Sequence, residues 1–110
     1  MAKYLVCANY IGEGIQGLIN EGGSSRRTVI DKLATSLNGK VDCVYYAFGD
    51  FDIYGIIDMP DRASMAAFSL KASASGLVSV KCVALMTPEE IDEAVKKTSE
   101  YRAPGQSWFR

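Results

Sequence analysis

The stretch Phe48-Gly49-Asp50-Phe51-Asp52-Ile53-Tyr54-Gly55-Ile56-Ile57-Asp58 decides how this chain folds. Glycine and aspartate between two apolar runs mark a tight hairpin, and glycine at the first loop position suits a two-residue type II′ turn. With Gly49-Asp50 as that turn, Phe48 opposes Phe51, Ala47 opposes Asp52, Tyr45 opposes Tyr54 and Cys43 opposes Ile56. Successive strand residues point to opposite faces, so this register sorts the side chains into two sets. Tyr46, Phe48, Phe51, Ile53 and Ile57, with Gly55 leaving space, form a uniformly apolar set that belongs under helices. Val41, Cys43, Tyr45, Asp52, Tyr54 and Ile56 form the other set, apolar in bulk yet holding two tyrosyl hydroxyls and a carboxylate.

Outward from the hairpin, Lys3 to Tyr10 reads as a first strand. Ile11 to Ser25 is a glycine-rich connection with a short helical turn expected over Gly14 to Ile19. Ser25 is the expected cap of a helix running to about Asn38, with Ile30, Leu33, Ala34 and Leu37 on one buried stripe. Lys40 to Phe48 and Phe51 to Met59 are the hairpin strands. Pro60-Asp61 breaks the second of them and caps a helix from Arg62 to about Ser75 that buries Met65, Phe68 and Ala72. Ser79 to Met86 is a fourth strand. Thr87-Pro88-Glu89-Glu90 holds a capping box with proline at the first helical position, and opens a last helix to about Tyr101. Along it, Asp92–Lys96 and Glu93–Lys97 are expected i, i+4 pairs. The order β-α-β-β-α-β predicts an α+β, ferredoxin-like fold, a four-stranded antiparallel sheet with helices on one face. Residues 1–101 form one domain on this reading, and 102–110 a tail whose Trp108-Phe109 should dock onto this subunit or a neighbour.

At 110 residues the chain has the length of one domain, with 48% hydrophobic and 23% charged residues. A net charge of −1 and no basic stripe give nucleic acid little to bind. No apolar run approaches the ~20 residues of a membrane span. Met1-Ala2-Lys3-Tyr4-Leu5 runs straight into a strand pattern without a signal-peptide layout, so a cytoplasmic location is expected. The three cysteines, Cys7, Cys43 and Cys82, sit far apart in apolar segments and read as small core residues of a reducing compartment. The chain has no histidine, which removes the commonest general base and the commonest metal ligand. No metal and no cofactor are expected.

The sheet face opposite the helices is too apolar to leave in water. A second copy covering it, sheet to sheet, is the expected solution, giving a dimeric α/β barrel. A cavity between the two sheets, with apolar walls and a few convergent polar groups, would hold a small metabolite.

These residues resemble the GYD domain family of small bacterial and archaeal proteins. Gly49-Asp50-Phe51-Asp52 matches the family turn, with Phe51 where the family usually has tyrosine. The resemblance extends from Lys3-Tyr4-Leu5-Val6 through Lys32-Leu33-Ala34 and Asp58-Met59-Pro60-Asp61 to Gly76-Leu77-Val78 and Ala84-Leu85. The family is largely uncharacterised, so the resemblance implies a fold more than an activity. A similar turn occurs in the effector domains of leucine-responsive regulators, and dimeric α/β-barrel monooxygenases share the architecture. Those likenesses imply pairing through sheets and metabolites held at subunit interfaces.

Asp52 is the candidate catalytic residue. A carboxylate at the mouth of an apolar cavity can act as a base, and at a turn it can instead accept backbone N–H bonds. Tyr45 and Tyr54 form a cross-strand pair that would orient a ligand, or simply stack at an interface. Asn9 and Tyr10 either line the same pocket or organise the loop after the first strand. Gly22-Gly23-Ser24-Ser25-Arg26-Arg27 opens a helix and could hold an anion, although two solvated arginines explain it as well. The reading favoured is a small-molecule-binding or assembly module, a homodimer or higher homo-oligomer with its ligand between sheets. The alternative is a cofactor-free enzyme of the monooxygenase or isomerase type, with Asp52 as base and a tyrosine as donor.

Overall fold

The computed structural model describes residues 1–107. Its elements run β1 (Ala2–Tyr10), α1 (Gly14–Glu21), α2 (Gly23–Ser36), β2 (Lys40–Tyr46), β3 (Ile53–Met59), α3 (Arg62–Ala74), β4 (Val78–Ala84) and α4 (Pro88–Val95). The strands form one antiparallel sheet in the order β2-β3-β1-β4, the ferredoxin-like arrangement with β1 and β3 at its centre. β3 alternates buried and partly buried residues along its whole length, as a central strand with one covered face must.

The covered face supplies the core. Tyr4 and Val6 from β1 and Ile57 and Met59 from β3 pack against Ala34 of α2 and Met65 and Phe68 of α3. Ile30, Leu33 and Leu37 flank Ala34, so the expected helical stripe is the one that packs. α2 lies along β2 and α3 along β4. That leaves a cleft between the two helices, above the central strands.

The connection after β1 holds more helix than its glycines suggest, because α1 runs for two turns rather than one. A single residue, Gly22, separates α1 from α2 at φ 84° and ψ 164°, a region open essentially to glycine alone. Gly22 therefore takes the capping position expected of Ser25, and α2 starts without a side-chain cap. After α2 the chain turns through Asn38, at φ 63°, into Gly39. A Cβ on Gly39 would lie 2.6 Å from Met59 Sδ and 2.7 Å from the Asp58 carbonyl, so only glycine lets the chain pass β3 there. At α3 the Asp61 carboxylate accepts the Ser64 N–H at 2.7 Å, the cap that Pro60-Asp61 implied. That bond holds the Asp61 carboxyl below its usual range.

α4 begins with the full capping box, Thr87 and Glu90 exchanging bonds of 3.0 and 3.1 Å. It stops at Val95, short of Tyr101, and buries none of its residues. Lys96 and Lys97 thus lie beyond the helix, and neither expected i, i+4 pair closes among the described residues. Ile91 and Val95 remain exposed. The docking expected of Trp108 and Phe109 lies outside the described residues. No helix among the described residues is long and apolar enough to cross a membrane. Of the cysteines, Cys7 is buried, Cys43 half-buried and Cys82 exposed on the edge strand β4, so only Cys7 is fully the core residue expected.

The hairpin keeps the register read from the sequence but not the turn. Tyr45 pairs with Tyr54 and Cys43 with Ile56. The Ala47 N–H donates to the Asp52 carbonyl at 2.9 Å, and beyond it the chain leaves the ladder for a loop. Gly49 has no positive φ, which a type II′ turn would require. Released from the strands, Phe48 is fully exposed rather than buried under helices. Phe51 meets Tyr54 edge to face, ring centroids 5.8 Å apart, beneath the Lys81 ammonium. A bulge between Val41 and Cys43 turns Val41 back onto the helix-covered core, away from the tyrosines with which it was grouped.

Candidate functional site: the cleft between the helices and the sheet

A cavity of about 290 Å³ lies in the cleft between α2, α3 and the sheet. Its floor is the helix-facing side of the sheet, valines and isoleucines interrupted by the small residues Ala8 and Gly55. Val6 and Ala8 of β1, Gly55 of β3 and Val44 of β2 meet there, and Gly55 sits where a larger side chain would fill the middle. Ile30 and Leu33 of α2 and Phe68 and Ala72 of α3 form the walls. A closed void of this size would cost on the order of 7 kcal/mol at about 24 cal/mol per Å³. Opening to solvent lowers that figure, and the exposed lining residues Val29, Lys71 and Ser75 show where the opening lies.

The polar lining gathers at one end. α2 begins and α3 ends beside the Tyr10 end of β1, where Tyr10 pairs with Val78 and the Ile11 N–H donates to the Leu77 carbonyl at 2.9 Å. Tyr10, Arg26, Lys71 and Ser75 border the cavity there. The opposite, deep end is bounded by Ile57 and Phe68, both buried. Among the described residues, both charged members of the lining are cations. Arg26 reaches Glu21 only loosely, at 3.7 Å through one terminal nitrogen, while its Nε is out of contact with solvent and has no hydrogen-bond partner among the described residues.

Tyr46 stands over the start of α2 and donates its hydroxyl to the Gly23 carbonyl at 3.0 Å. Although the ring is partly exposed, burial of its hydroxyl end is the main cause that pushes the phenol up to about 12, with the neighbouring Tyr10 hydroxyl adding to it. Tyr46 therefore stays protonated at neutral pH and keeps this donor bond, which fixes the first turn of α2 against β2.

The residues singled out in the sequence divide between the two faces. Tyr10 borders the cavity; Asn9, Tyr45, Asp52 and Tyr54 do not. Asn9 and Asp52 instead tie the hairpin loop to β1. Asp52 Oδ2 accepts the Tyr10 N–H at 2.9 Å, and the Asp52 N–H is shared between the Ala8 carbonyl and Asn9 Oδ1 at 3.0 and 3.1 Å. Asn9 Nδ2 donates to the Asp50 carbonyl at 3.2 Å. This clamp draws the loop toward β1 and accounts for the early end of the β2–β3 ladder. Tyr45 and Tyr54 sit across from one another on the open face, Tyr45 largely exposed. At the far end of that face Lys3 bonds Asp42 and, at 2.9 Å, Asp58.

Arg26 was visible in the sequence as part of a glycine- and serine-rich helix start. Lys71, Ser75 and Val80 were not, and Ala72 was read only as a buried helix residue. Their signal was available in small residues at Ala8, Gly55 and Ala72, which face one another across the sheet–helix layer, but only the strand register and helix phase together reveal it.

This fold and cleft define a small ferredoxin-like α+β domain with a cavity between its helix layer and its sheet. Residues 4–95 match the GYD domain model, and the chain belongs to the GYD domain family. No curated protein matches the chain. Among solved structures it is similar to a protein of unknown function from Nitrosomonas europaea, at 18% identity over 78% of this chain and 90% of that one, with a TM-score of 0.40.

Proposed function

We propose that the protein is a small-molecule-binding module whose ligand occupies the cleft between α2, α3 and the sheet. The observation that carries this is the cavity itself. It has apolar walls, an apolar floor opened by Ala8 and Gly55 and a few polar groups at one end, the make-up typical of ligand sites. Its 290 Å³ lies near the lower limit of such sites, so the ligand is small. Asp52, the candidate base, is engaged with the Tyr10 backbone away from this lining, which favours binding over the alternative enzymatic reading.

A second copy of the chain is the partner we assign to the open face. Tyr45 and Val83 leave apolar surface there that pairing would bury. A cytoplasmic, homo-oligomeric metabolite binder is the resulting picture.

The test is a thermal-shift screen with small metabolites on the natural protein and on Ala72→Leu, which fills the cleft from α3. At least one compound should raise the Tm of the natural protein and leave that of Ala72→Leu unmoved. A panel that shifts neither protein would contradict the reading.

A further inference from the structure

The geometry points to the class of ligand: we infer that the cleft takes a small organic acid, apolar body inward and anionic group at the Arg26 end. This inference rests on the cleft being the binding site and adds which chemistry it selects.

Three observations support it. The first is charge. Arg26 and Lys71 are the charged lining residues among those described, and among the described residues no carboxylate borders the space. The second is a loosely held guanidinium. Among the described residues the one ion pair of Arg26 runs to Glu21, at 3.7 Å through a terminal nitrogen, and its side chain is only partly covered. Its terminal N–H groups have donor capacity that a ligand's anionic group can meet. A guanidinium presents its N–H groups as a planar fork that fits a carboxylate through two parallel bonds. The third is polarity along the cavity. Cations, the Tyr10 ring with its hydroxyl and Ser75 lie at one end, while Ile57, Leu33 and Phe68 close the other. A molecule apolar throughout would leave Arg26 unpaired, and one polar throughout would bury hydroxyls or amides against Phe68 and Ile57 without partners.

Size narrows the class further. At the packing density of protein interiors the cavity has room for roughly a dozen non-hydrogen atoms. A bicyclic aromatic acid or a medium-chain aliphatic acid meets that limit.

The probes are 2-naphthoate and its neutral isostere 2-naphthamide, titrated into the full-length protein and followed by calorimetry. The acid should bind at least roughly tenfold more tightly than the amide, the scale of a charge-assisted pair set against a neutral one. Arg26→Met, which keeps the apolar stem, should erase that preference. In the natural protein, added salt should weaken the acid and leave the amide unchanged, a readout that does not depend on the variant folding. Equal binding of acid and amide, a preference that survives Arg26→Met, or an acid affinity indifferent to salt would each overturn the inference while leaving the cleft a binding site. Displacement of neither probe into the cleft, with no heat for either, would overturn the inference together with the cleft reading on which it rests.

Discussion

The two faces of the sheet are built from the same four strands and differ in how they solve their surfaces. On the helix side small residues, Ala8, Gly55 and Val6, lie under two helices that stand apart, and space remains. On the open side Phe51 leans on Tyr54, Tyr45 stands largely exposed across from it, and Lys3, Asp42 and Asp58 close the far end as an ion cluster. The lesson is that the apolar content of a face does not locate a cavity. What matters is whether the side chains facing one another across two layers are too small to meet.

The largest effect should separate the faces by stability. Phe68 is 4% exposed between α3 and the sheet, and Phe68→Ala should cost about 3–5 kcal/mol in denaturant unfolding. Tyr45 is 71% exposed, and Tyr45→Ala should change the stability of the single chain by no more than about 0.5 kcal/mol. If pairing through the open face is right, the same Tyr45→Ala weakens the dimer, which sedimentation over a dilution series would show. Similar losses from both substitutions would erase the distinction between the faces.

An intermediate effect tests the clamp that joins them. Asp52→Ala removes the acceptor of the half-buried Tyr10 N–H and should cost about 1–2 kcal/mol. Hydrogen exchange at Tyr10 should accelerate, and exchange at the centre of β3 should not. Protection of Tyr10 unchanged in the variant would show that the loop is held by other means.

The smallest effect belongs to the exposed ion cluster. The hydrogen bond from Lys3 holds the Asp42 carboxyl below its usual range, and the bonds to Asp42 and Asp58 raise the Lys3 ammonium. Because the Asp42 value is depressed in the fold, its contribution is present above the ordinary carboxylate range and is lost as pH falls through the lowered value. The Lys3 contribution runs the other way, present below the ordinary lysine range and lost as pH rises through the raised value. Lys3→Met should return the Asp42 titration toward the ordinary range in a carboxyl-carbon NMR experiment, with little change in Tm at neutral pH. An Asp42 titration that stays low in the variant would assign its depression to another group.

Much of the fold was legible in the sequence because its signals are local. The Gly-Asp pair set the hairpin register, and Tyr45 opposite Tyr54 follows from it. The Thr87 capping box and the Asp61 cap are each written within four residues and formed as read. The turn type was not legible, because it depends on Asn9 and Ala8, which reach the loop from more than forty residues away. Phe48 and Phe51 left the core for the same reason. The bulge that returned Val41 to the core has no local mark either. Of the candidate cleft's polar lining, part was legible. Tyr10 and Arg26 stood out for their type and their neighbours, but their convergence with Lys71 and Ser75 needs α2 to begin and α3 to end at the same edge of the sheet. The aspartate of the turn motif, the strongest local signal, turned out to bond backbone on the loop side of β1.

The most direct test places a ligand on one face or the other. In a methyl-labelled NMR titration with 2-naphthoate, shifts should concentrate on Val6, Val44, Ile57 and Val80, which line the cleft, and spare Leu5, Ile56 and Val83 on the open face. Shifts confined to Leu5, Ile56 and Val83 would put the ligand between sheets and contradict the assignment of the cleft.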